Sequence, residues 1–174
     1  MAHSKFFKER LKRKLTKDLK KFGIAKISAN HEAVIFNYSQ IFWDFRMELR
    51  THNIVVILEI ETKRPDPVNN LIKTLVWLDE NTTNNFFIFL HFFDSSYGEI
   101  YTPANDICTK LWEKFLIKSC KEKMVYSQHL IGDLAKTSGS KRKTKELYPV
   151  YKRISQITER VVSTTIKKIE ASKK

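Results

Sequence analysis

Along residues 41–49 apolar and polar side chains alternate: Ile41, Trp43, Phe45, Met47 and Leu49 against Phe42, Asp44, Arg46 and Glu48. Strand side chains point to opposite faces in turn, so this reads as a half-buried strand with Asp44 on its polar face. A second strand-like run covers residues 55–63. Val56, Leu58 and Ile60 are apolar, while the odd positions pass from Val55 and Ile57 to Glu59, Glu61 and Lys63. One face enters a core; the other ends in two carboxylates and an ammonium. The intervening Arg50-Thr51-His52-Asn53 is short enough for a hairpin. Superposing the apolar faces leaves two registers, with Asp44 opposite Glu59 or opposite Glu61. Cross-strand neighbours stand about 5 Å apart, so either register brings Asp44 beside the carboxylates of the second strand. Clustered acids of this kind call for a counter-charge, and a divalent metal is one.

The remaining pattern supplies helices on either side of this hairpin and one further strand. Phe7, Leu11, Leu15 and Leu19 recur every four residues and Gly23 follows, which predicts a basic helix over residues 4–22. Its other positions hold Lys8, Arg10, Lys12, Arg13, Lys14, Lys17, Lys20 and Lys21, a phosphate-facing outer side or simply a solvated one. Residues 31–36 are a candidate first strand. Arg64-Pro65-Asp66-Pro67 is a loop, and Pro67 opens a helix over residues 68–80 with Leu71, Leu75 and Leu78 inward. The nearly continuous apolar run 86–93 predicts a central strand buried on both faces, with His91 as a satisfied core histidine. A helix is expected over residues 103–123 and another over residues 149–171. The coarse order is α, β, β, β, α, β, α, which implies a mixed α/β sheet flanked by helices.

Charge narrows the partners. The chain has 174 residues, 32 Lys+Arg against 19 Asp+Glu, and a formal net charge of +13. Such a field attracts polyanions. Residues 136–145, Lys-Thr-Ser-Gly-Ser-Lys-Arg-Lys-Thr-Lys, read as a basic flexible loop or linker in which Lys141, Arg142 and Lys143 can contact nucleic acid. It separates an expected core (residues 1–135) from a C-terminal helix (residues 146–174) that closes the core or forms a homodimer. No run is apolar enough to span a membrane, and the two cysteines, Cys108 and Cys120, lie in no zinc-like spacing. The expectation is an intracellular protein, cytoplasmic or, in a host with a nucleus, nuclear, with no small-molecule cofactor.

Asp44, followed one hairpin later by Glu61-Thr62-Lys63, resembles the PD-(D/E)xK nuclease superfamily. The likeness covers about residues 32–94. Trp43 stands where that superfamily usually has Pro. The resemblance implies a restriction-endonuclease-like fold and a DNA endonuclease. Asp44 and Glu61 would bind Mg²⁺ (or Mn²⁺), and Lys63 would orient the attacking water. Glu59 would assist the metal, or replace Glu61 in the other register. Size, basicity and the N-terminal helix are similar to the archaeal-type Holliday-junction resolvases, which carry a Glu on the first helix that reaches the metal; Glu9 is the preferred candidate and Glu32 its rival. Superfamily members also place polar residues on the helix after the motif, which makes Asn69, Asn70 and Lys73 secondary candidates. The alternative is a non-catalytic basic nucleic-acid-binding protein of the same fold, and a third reading is a small interaction or assembly protein.

Overall fold

The computed structural model describes residues 5–35, 39–61, 68–80, 86–95, 101–118, 124–132 and 144–173. Its centre is a five-stranded mixed sheet in the order β1(Ile24–Ile35)-β2(Ser39–Leu49)-β3(Ile54–Glu61)-β4(Phe86–Phe93)-β5(Met124–Leu130). Strand β2 runs antiparallel to its neighbours β1 and β3, whereas β3, β4 and β5 run parallel. Parallel neighbours need crossovers, and α2(Val68–Glu80) and α3(Tyr101–Lys118) provide them. Both pack on one face of the sheet. The other face is covered by α1(Lys5–Leu19) and α4(Thr144–Ala171).

The β2–β3 hairpin adopts the register that sets Phe45 opposite Leu58 and Leu49 opposite Ile54. Continued by one residue, this places Asp44 beside Glu59. The turn is a short 3₁₀ segment, Arg50–His52, closed by Asn53 in the left-handed region at φ 51°. Asparagine tolerates that conformation better than most residues. A second left-handed residue, Gly23 at φ 68°, ends the 3₁₀ turn that follows α1. A Cβ there would come within 2.7 Å of Thr51 Oγ1, so Gly23 lets the α1 terminus approach the hairpin turn.

Two cores follow from the layers. Under α1 and α4, Phe45, Met47 and Leu49 of β2 join Val56, Leu58 and Ile60 of β3 and Ile88, Leu90 and Phe92 of β4. Under α2 and α3, Val55, Ile57, Phe87, Phe89 and Phe93 form the second. All eight residues of β3 are buried, so the face that the pattern left polar is covered too, and the carboxylates at its end lie inside the protein.

Several boundaries also differ. The helix expected over residues 103–123 is Tyr101–Lys118, and the edge strand β5 that follows was not anticipated. Met-Val-Tyr-Ser-Gln-His-Leu has little apolar alternation, as suits a strand half-exposed at a sheet edge. The first strand is longer than residues 31–36 suggested. Thr144 and Lys145, assigned to the basic linker, begin α4; residues 136–143, with Lys141, Arg142 and Lys143, lie outside the described residues. Cys120 does too, while Cys108 is buried on α3.

Candidate functional site

The end of β3 is where the acids collect. Glu59 is 3% exposed and Glu61 1%. Strand parity sets both on the α2–α3 side, together with His91 of β4. A buried carboxylate is costly unless charges or donors answer it. Glu61 Oε1 accepts from Asn70 Nδ2 at 2.9 Å and lies 3.3 Å from His91 Nε2. His91 is fully buried, and its Nδ1 is 3.0 Å from the Tyr126 hydroxyl. With Tyr126 donating to Nδ1, the ring carries its proton on Nε2 and donates to Glu61 Oε1, which pairs both ring nitrogens. Glu61 Oε2 is buried with no hydrogen-bond partner among the described residues.

A second chain of hydrogen bonds holds this arrangement from the other side. Trp43 Nε1 donates to Thr74 Oγ1 at 2.9 Å, and Thr74 donates in turn to the Asn70 carbonyl at 2.7 Å. Asn70 then donates to Glu61. Trp43 thus ties β2 to α2, with its ring 5.0 Å from that of Trp77 in an edge-on contact. This departs from simple alternation: Trp43 and Phe45 are two residues apart, yet they bury in opposite layers.

The break falls at Asp44. Its Oδ2 accepts the Ile60 N–H at 2.9 Å, so a side chain takes a backbone donor of β3 one step past the last ladder pair. Its Oδ1 is 2.7 Å from Lys8 Nζ. Lys8 is 8% exposed, turned inward from α1 rather than part of the outer basic side on which the sequence pattern placed it. Sequence reasoning missed this residue. The signal was present, because Lys8, Leu11 and Leu15 fall at i, i+3 and i+7, the stripe that enters the core. Asp94, also buried, follows β4 at the same sheet end, where its N–H donates to the Glu61 carbonyl at 3.1 Å.

The structure therefore brings Asp44 against β3 at Ile60, between Glu59 and Glu61 in the chain. Among the described residues no group of three or more His, Cys, Asp or Glu side chains is arranged to hold a metal ion. Lys63 lies outside the described residues, and so does the Arg64–Pro67 loop. Glu9 is exposed on α1, next to the inward Lys8; Glu32 is on β1 opposite Phe42. Of the expected nucleic-acid contacts, Lys12 and Arg13 are on α1 and Lys73 is on α2, in opposite layers of the molecule.

No family model matches the sequence, and no curated protein matches it. Among solved structures there is a likeness to a chain described as "Refined half-complex from tetradecameric assembly of Thermococcus gammatolerans McrB AAA+ hexamers with bound McrC". It is 12% identical, with a TM-score of 0.42, and covers 88% of this chain and 33% of that one. This chain thus spans about a third of that chain's length, and the overlap is too loose to assign a fold or an activity. No helix among the described residues is long and apolar enough to cross a membrane.

Proposed function

We propose that this chain is a metal-dependent DNA endonuclease with a restriction-endonuclease-like core. The observation that carries the reading is Glu61. Its carboxylate is buried at the end of a central strand, fixed through one oxygen by Asn70 and His91, with the other oxygen unbonded among the described residues. An orphaned, rigidly held carboxylate oxygen suits a hard cation, and Mg²⁺ takes only one or two carboxylates, with water and phosphate filling its other positions. Asp44, which accepts from Ile60 of the same strand and meets Lys8 on the α1 side, would be the second donor once it turns toward Glu61; each carboxylate has lone pairs beyond those its present partners use. In this reading Asp44 and Glu61 would hold Mg²⁺ or Mn²⁺ with water and phosphate as the other ligands. When bound, the metal would supply Lewis acidity and lower the pKa of a water.

The chain's own residues would do the rest. Asn70 and His91 hold Glu61 in place, and the Trp43–Thr74 link fixes Asn70. Lys63, two residues after Glu61 in the sequence, would orient the attacking water and take part in its proton transfer. Glu59 would assist Glu61. Lys8 neutralises Asp44 and supplies a fixed positive charge beside the scissile phosphate. The basic surface, net +13, would grip the polynucleotide.

One observation favours the second reading, a non-catalytic nucleic-acid-binding protein: the carboxylates of Asp44 and Glu61 already have a lysine, an amide and an imidazole as partners. Purified protein incubated with supercoiled plasmid and a four-way junction, in Mg²⁺, Mn²⁺ or EDTA, separates the two. Metal-dependent cutting is expected, reduced at least about a hundredfold in Asp44→Asn and Glu61→Gln with DNA binding retained. Binding with no cutting under any metal would favour the non-catalytic reading.

A further inference from the structure

Strand β5 forms the sheet edge remote from the hairpin, and its α4 side carries Ser127 and His129. Val125, two residues earlier, packs against the core under α1 and α4, and the His129 ring is 5.6 Å from that of Phe92 in the same core. Alternation sets Ser127 between them on that face. Its Oγ is 2.7 Å from His129 Nε2.

Helix α4 supplies the opposite wall. One flank of it meets α1: Tyr151 lies against Phe7, Ser155 donates to Asp18, and Lys21 pairs with Glu159. Another flank meets the end of β5, where Val150 Cγ2 lies 3.6 Å from the position of a Cβ on Gly132. Arg153, Ile157 and Arg160 continue that flank at i+3, i+7 and i+10. Both arginines are exposed, and neither has an ion-pair partner among the described residues. Their influence on the strand is felt at His129: burial, and then the charges of Arg160 and Arg153, hold its pKa down to about 4. Two exposed guanidiniums on one flank of α4 thus bear on a neutral imidazole that is hydrogen-bonded to the Ser127 hydroxyl.

We propose that this edge cluster of Ser127, His129, Arg153 and Arg160 is a phosphate-binding site. Guanidinium groups match phosphate oxygens in paired hydrogen bonds, and hydroxyl and imidazole complete an oxyanion's donors. An anion here answers the two arginines and lets His129 protonate to become a third positive group. The phosphate comes from a polynucleotide backbone or from a small phosphate-bearing ligand. The first source rests on the nucleic-acid reading above. His129, Phe92 and Ile60 are cross-strand neighbours, so the cluster lies toward the same end of the sheet as Glu61, two strand spacings or about 10 Å along it, and on the opposite face.

The test follows the His129 imidazole by NMR pH titration in the full chain. It is recorded alone, with inorganic phosphate, and with a short DNA duplex, all without divalent metal. The midpoint is expected to rise by about one pH unit with a bound phosphate. A rise with the duplex assigns the site to a polynucleotide; a rise with inorganic phosphate alone assigns it to a small ligand. The Arg153→Gln/Arg160→Gln variant, altered only at exposed positions, is expected to lose the response. If the duplex is the occupant, the variant also binds DNA about tenfold more weakly, with a salt slope smaller by about two. A midpoint that moves with neither probe, or moves equally in the variant, overturns the proposal. Because no metal and no cleavage enter this titration, failure of the nuclease reading would not be mistaken for failure of the site.

Discussion

Lys8 decides much about how the acids at the end of β3 are tolerated. A half-buried aspartate that has lost its cation is left as an uncompensated charge, which costs about 3 kcal/mol when a buried pair is broken from one side. Lys8→Ala should therefore lower thermal stability clearly in EDTA. If Asp44 belongs to a metal site, Mn²⁺ replaces the missing cation and restores more stability in the variant than it adds to the wild type, since a ligand stabilises only the state that binds it. Equal metal effects on the two melting temperatures would remove Asp44 from any metal site. Alternation set Asp44, Glu59 and Glu61 on one face; in the structure Asp44 meets Lys8 of α1, whereas the two glutamates lie on the α2–α3 side. The sequence missed the partners, because Asn70, His91 and Tyr126 come from three other elements and meet only when α2, β4 and β5 are assembled. Trp43 was misplaced by the same rule that placed Asp44. Strict alternation puts Trp43 with Phe45, and the ladder break at Asp44 sends it to the other layer.

Among the elements, α1 and α4 show how a polar contact joins two basic helices. Asp18 accepts from Lys14 at 2.6 Å on its own helix and from Ser155 at 2.7 Å on α4. Burial raises its pKa, but the hydrogen bonds from Lys14 and Ser155 and the charges of Lys14 and Lys17 outweigh that and leave it below the ordinary aspartate value. A depressed carboxyl stabilises the fold above its unfolded pKa and loses that contribution as pH falls through the folded one. Asp18→Asn should cost about 1 kcal/mol near neutral pH, the net worth of such a hydrogen bond. The gap in urea midpoint between wild type and variant should close toward about pH 2, where both side chains are uncharged. A gap independent of pH would mean that packing, not charge, accounts for the loss. Helix α2 and strand β4 were readable from the pattern because each is strongly periodic or uniformly apolar and bounded by turn residues. Strand β5 was not, since its half-exposed edge position asks for no apolar alternation, and the preceding helix pattern ran on through residues 119–123 without a stop.

For the molecule as a whole, the role of α4 sets what the chain can do alone. Its apolar stripe, read from the sequence as closing the core or pairing two copies, buries Leu147, Val150, Tyr151, Ile154, Ile157, Val162, Ile166 and Ile169 against α1 and the sheet. Each such side chain contributes about 1.5–3 kcal/mol on burial, so together they match or exceed the roughly 5–15 kcal/mol by which a domain is usually stable. A chain ending before residue 144 should then show no cooperative thermal transition. The buried stripe is also not available to a second copy without opening the fold. Sedimentation of the full chain should give a mass that does not rise with concentration through any contact of that stripe, and Ile157→Asp should unfold the protein rather than merely dissociate it. If the truncated chain melts cooperatively and the full chain dimerises in a manner abolished by Ile157→Asp with the fold intact, α4 is an exchangeable arm. Two copies would then associate through an interface different from the packing in this structure, and under the proposed nuclease reading two sites would face one duplex.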